Sequence, residues 1–98
     1  MMALPREESN RAIITVLGHD QIGIIAWVSG RLAENSVNIL DISQTILNDF
    51  FTMIMVVDLN PANIELIALS SMLEAEGRNK GLQVKVQHED IFAFMHRI

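Results

Sequence analysis

Gly18-His19-Asp20-Gln21-Ile22-Gly23 sets an imidazole, a carboxylate and an amide between two glycines, with apolar residues on either side. Two chemistries are open to such a turn. His19 and Asp20 could ligate a metal, but two adjacent donors with no third nearby fall short of a metal site. The alternative is a turn aimed at a helix N-terminus. There, unpaired backbone N–H groups and the positive end of the dipole favour a small anionic or polar ligand. No nucleophile–base pair accompanies it. The expectation is a place that holds a molecule without transforming it, with no catalytic residue, no metal and no cofactor. Asp20 has a purely structural role available too, as the N-cap of the helix that follows.

The elements that must position this turn follow from hydrophobic periodicity. Ala12–Leu17 is a β-branched apolar run that ends at Gly18, a strand by length and type. After the turn, Ile22, Ile25, Val28, Leu32 and Ala33 recur at helical spacing as one stripe expected to be buried, and Glu34-Asn35-Ser36 stops the helix. Gly30 inside that helix suggests a close approach to the sheet. Val37–Leu47 reads as a long strand, Asn48-Asp49 as a short hairpin and Phe50–Leu59 as the next strand. Asn60-Pro61 is a cap and first turn that should open a second helix, with Ile64, Ile67, Leu69, Met72 and Leu73 as its apolar residues. Gly77 and Gly81 bracket a basic helix end, Arg78-Asn79-Lys80. Leu82, Val84 and Val86 then alternate with Gln83, Lys85 and Gln87, a strand with one wet face.

The order strand–helix–strand–strand–helix–strand predicts an α+β ferredoxin-like βαββαβ sandwich. Its four-stranded antiparallel sheet has order 4-1-3-2, with two helices on one face. The other face is left bare, yet the third strand is apolar on both sides: Phe51, Met53, Met55, Val57 and Leu59 against Ile54 and Val56. Such a strand needs cover on both sides. One candidate is the tail at 90–98, where Asp90 can cap a short C-terminal helix with Ile91, Phe94, Met95 and Ile98 in a stripe. The other is a second copy of the chain, joined through the long second strand, an edge in this topology. Residues 1–10 read as a disordered N-terminal extension and 11–98 as a single domain.

Composition narrows the function. The chain has 98 residues, half of them apolar, with a formal net charge of −5. That balance disfavours nucleic acid and anionic membrane surfaces. There is no Cys, so disulfides, thiol redox chemistry and cysteine-ligated metal are excluded. No apolar run approaches the roughly 18 residues that a membrane span needs, and the first ten residues lack the pattern of a secretory signal. A cytoplasmic protein is expected.

Gly18-x-Asp20-x-x-Gly23-Ile24, followed by Val37-Asn38-Ile39 with its asparagine fifteen positions after Gly23, resembles the ACT domain, a regulatory amino-acid-binding module. The resemblance extends over residues 11–89. With SVNILDISQT, FFTMIMVVDL and EDIFAFMHRI it is more similar still to the small stand-alone ACT-domain proteins of bacteria and archaea. It implies a non-catalytic small-molecule sensor, a homodimer or higher homo-oligomer, that binds an amino acid or similar polar ligand between subunits. The residues implied are the turn Gly18, His19, Asp20, Gln21, Ile22 and Gly23 of one subunit and Asn38 of the other. In the serine-binding members the position of Asp20 is typically an asparagine and that of Gly18 a histidine. Those two departures favour an alternative: an interaction or assembly module for another protein, with a vestigial ligand site.

Overall fold

The computed structural model describes residues 10–19 and 22–95 of the chain. Four strands, β1 (Arg11–His19), β2 (Asn38–Leu47), β3 (Phe50–Asp58) and β4 (Gln83–His88), form one sheet in the order β2-β3-β1-β4. All three neighbouring pairs are antiparallel. Helix α1 (Ile24–Glu34) connects β1 to β2, and α2 (Leu66–Asn79) connects β3 to β4. A short helix α3 (Glu89–Met95) follows β4. This is the ferredoxin-like βαββαβ sandwich that the order of elements predicts.

Strand period decides which side chains meet the helices. Ala12, Ile14 and Val16 of β1 and Phe51, Met53, Met55 and Val57 of β3 point into the helical layer and are buried. Ile24, Val28 and Leu32 of α1 and Leu69 and Leu73 of α2 close over them. On the opposite face, Ile54 is exposed and α3 sets Phe92 beside Thr15, Leu17 and Lys85.

Both helices end in the same device. At α1 the N–H groups of Ser36 and Val37 return to the carbonyls of Ala33 and Leu32, at 3.1 and 2.9 Å. At α2 those of Gly81 and Leu82 return to Arg78 and Gly77, at 3.1 and 2.8 Å. Each is a Schellman turn, which requires a left-handed residue after the cap. Gly81 adopts it with φ 75, and Ser36 adopts it with φ 59 despite its Cβ. The hairpin from β2 to β3 is equally tight, with Leu47 paired to Phe50 and Asn48 left-handed at φ 57.

Several expectations are corrected. The stripe of α1 is Ile24, Val28 and Leu32; Ile22 precedes the helix and is fully exposed, and Ile25 and Ala33 face outward. Gly23, with φ 91, breaks the helical run before Ile24, so the phase counted from Ile22 is off by a residue or more. Gly30 makes no close approach, since a Cβ there would meet nothing within 4 Å. The close approach belongs to Gly77, where a Cβ would press on the Val84 side chain of β4. Asn60-Pro61 forms a turn, not a helix start: α2 begins six residues after Asn60, and Asp58 accepts the Asn60 N–H at 3.0 Å. Ile67, expected in the buried stripe of α2, is exposed. The N-terminal extension, Asp20 as an N-cap and the end of the tail stripe at Ile98 lie outside the described residues.

Candidate ligand site at the amino end of helix α1

The turn predicted to carry chemistry is resolved into residues with different duties. Gly18 sits in β1 opposite Phe51, and a Cβ on it would collide with the Leu82 side chain. Packing therefore accounts for this glycine. The His19 ring stacks on Phe50, with centroids 5.1 Å apart and planes inclined by 23°. That stack belongs to the sheet face away from α1 and α2. Asp20 and Gln21 lie outside the described residues. Ile22 stands wholly in solvent.

Gly23 is the N-cap of α1. Its φ of 91 is a conformation that side chains resist, and a Cβ built on it would meet nothing within 4 Å. Its carbonyl accepts the first helical bond, from the Trp27 N–H at 2.9 Å. A glycine has no side chain with which to cap, and the first turn holds no acidic residue. Among the described residues no side chain caps the leading N–H groups of α1, which carry the positive end of the dipole.

A groove of about 610 Å³ starts at this helix end and runs between α1 and the rim of β2. Gly23, Ile25, Ala26 and Ser29 form one wall, Gln44 and Ile46 the other, and Phe51 lies at its base. Sequence reading missed this second wall. The signal was present, because β2 alternates Ile42, Gln44 and Ile46 onto the helix side opposite Met55, Met53 and Phe51.

Asn38 is at the other end of the molecule. It pairs with Asp58, whereas Gly18 pairs with Phe51. Seven residues of strand separate those rows, about 23 Å. Within one chain the two halves of the predicted site never meet. The β2 edge beside the groove is unpaired along its length, and Leu40, Ile42 and Ile46 on it are exposed by 46%, 37% and 60%. A bulge between Ile39 and Asp41 bends the strand near its start.

A polar cluster bridges the two helices on their outer side. Glu76 accepts from Trp27 Nε1 at 2.8 Å and from Arg31 Nε at 3.0 Å. Arg31 also reaches Glu34 at 2.9 Å, and Lys80 lies 5.3 Å above the Trp27 ring. The Trp27 hydrogen bond, followed by Arg31, holds the Glu76 carboxyl below its ordinary value. Glu76, then Glu34, raises the Arg31 guanidinium above its own. Its sequence signal is a pair of i, i+4 repeats, Trp27/Arg31 and Glu76/Lys80. Among the described residues no three His, Asp or Glu side chains gather as a metal site would need, and no helix is long and apolar enough to cross a membrane.

Comparison with known proteins places this geometry. The protein family described as ACT domain matches residues 10–87. The chain is 52% identical over 89 residues to a UPF0237 protein of Methanocaldococcus jannaschii, covering 91% of this chain and 99% of that one. It is 49% identical over 87 residues to a UPF0237 protein of Clostridium perfringens, covering 89% and 98%. Among solved structures it is similar to an ACT domain protein from Streptococcus pneumoniae, 37% identical with TM-score 0.74, covering 93% and 99% of the two chains.

Proposed function

This chain belongs to the ACT domain family, and from that premise we propose that it is a non-catalytic, cytoplasmic sensor of a small polar molecule, an amino acid or a close relative, working as a homodimer. ACT domains are generally small-molecule-sensing regulatory modules. One juxtaposition in this chain supports the specific reading: a helix end at Gly23 that no described side chain caps, beside an unpaired, apolar strand edge.

Pairing two β2 strands antiparallel about a two-fold axis removes both edges. It also sets the start of one β2 level with the end of the other, which is the row of His19 and Phe50. Asn38 of one protomer thereby comes to the turn of its partner, and its amide can donate to a carboxylate or accept from an ammonium. The ligand would then be shared between subunits, so binding and dimerisation are coupled.

The second reading, an assembly module for another protein, draws on Ile22. A large aliphatic side chain wholly in solvent beside the turn is suited to burial against a partner.

Sedimentation and calorimetry on the whole chain, with the twenty amino acids as probes, separate the two. The sensor reading expects saturable binding that tightens the dimer and falls at least about tenfold in Gly23→Val and in Asn38→Ala. A dimer that binds none of the probes, or binding indifferent to both substitutions, returns the assembly module instead.

A further inference from the structure

The groove at the head of α1 has a chemistry of its own. Ile24, Ile25, Ala26, Ile46 and Phe51 give it a hydrocarbon lining, and Ser29 and Gln44 add one hydroxyl and one amide. No charged side chain lines it among the described residues. Its size, about 610 Å³, falls within the range of roughly 300–1,000 Å³ usual for small-molecule pockets.

We propose that this groove selects an amino acid with a large apolar side chain, of the leucine, isoleucine, methionine or phenylalanine kind. The inference rests on the sensor reading above and deepens it by naming the ligand class. The carboxylate takes the N–H groups beside Gly23, where the helix dipole is positive and no acidic residue of the first turn opposes it. From there the side chain lies along the groove, over Ala26 toward Ile46.

Three features of the lining exclude the other classes. An aspartate, glutamate, lysine or arginine side chain would lose part of its hydration and meet no opposite charge among the described residues of the wall. Glycine, serine and alanine would leave most of the apolar surface wet, and each methylene that a pocket gains or loses changes affinity roughly 10–200-fold. Ser29 and Gln44 are too few to build the dense hydrogen-bond set that recognition of a polar side chain demands.

Calorimetric titration of the whole chain with L-leucine, L-isoleucine, L-methionine and L-phenylalanine, against glycine, L-serine, L-aspartate and L-lysine, decides the matter. At least one of the first four should bind tenfold or more tighter than any of the second four. Ala26→Leu fills the groove at an exposed helix position that tolerates leucine, and it should reduce that preference at least about tenfold. Ala75→Leu, equally exposed on α2, should leave it unchanged. Serine, glycine or a charged amino acid binding as tightly as the apolar set overturns the groove assignment while leaving the sensor reading intact. So does an Ala26→Leu chain that keeps the wild-type preference. Failure of all eight to bind, with Ala26→Leu weakening the dimer, overturns the groove assignment, because the partner's own helix then occupies the groove, while the sensor reading falls only if none of the twenty amino acids binds.

Discussion

The sheet has two edges, and they are built differently. β4 is six residues long, its exposed positions are Gln83 and Lys85, and α2 lies tight against it through Gly77. Short length, a lysine and a covering element are the means by which a soluble protein keeps an edge from pairing. β2 is ten residues long, carries no Lys, Arg or Pro, and among its described side chains exposes Leu40, Ile42 and Ile46. Its guard is slight: Asp41 accepts the N–H of its own neighbour, Ile42, at 2.9 Å. One edge is closed and the other is left open beside a groove. An open apolar edge is a template for pairing with another chain, so the contrast bears directly on the proposed dimer, which would be joined through β2 and not through β4.

The largest expected effect comes from closing the open edge. Ile42→Lys combined with Ile46→Lys gives β2 the protection that Lys85 gives β4. Sedimentation should then show a single 11.0 kDa chain where the parent shows twice that mass. Gln83→Lys in β4 should leave the parent's mass unchanged. A parent that is already monomeric, or a β4 change that dissociates it, breaks the comparison outright.

Next in size is the covering of β4. Gly77→Ala drives a Cβ against the stiff Val84 side chain and should lower unfolding free energy by about 1–3 kcal/mol. Gly30→Ala on α1, beside β2, meets nothing and should raise it by roughly 0.5–1 kcal/mol. Denaturant titration reads both, and equal responses would remove the contrast between a glycine pressed against a strand and one that is not.

The two helix ends sharpen it further. Ser36 and Gly81 hold the same left-handed position at the entries to β2 and β4. Ser36→Gly should therefore stabilise by about 1 kcal/mol, and Gly81→Ser should destabilise by a similar amount. Thermal melts that move in the same direction for both would contradict the shared geometry.

The smallest effect belongs to the bridge between the helices. Glu76 has its folded-state pKa lowered by Trp27 and Arg31, so it binds its proton less readily in the folded chain than in the unfolded one. Its contribution is complete above the ordinary glutamate pKa and fades as pH falls through the lowered one. Glu76→Gln should cost a little melting temperature at pH 7 and almost none at pH 3. The pair is partly exposed, so water screens it. A Gln variant displaced equally at both pH values would show that packing, and not charge, holds this bridge.

Much of this molecule is written in local patterns. Alternation of apolar residues in β3 and β4 sufficed to assign faces, because a strand shows its neighbours every second residue whatever lies across from it. The element order sufficed for the sheet order, since two crossovers and one hairpin leave few ways to connect four strands. The family followed from the glycines of the turn and the asparagine that starts β2. Tertiary structure decided the rest, and for one physical reason: close approach is a property of two elements, while periodicity belongs to one. The run Ile22 to Val28 contains more apolar residues than one stripe can bury, and only the sheet beneath, with Gly23 breaking the helix before Ile24, selects Ile24 over its neighbours. Gly30 and Gly77 look alike in the chain, and only the position of Val84 tells which one is needed. Gln44 and Ile46 become a wall because α1 crosses above them, and Trp27 finds Glu76 forty-nine residues away because two helices share a layer.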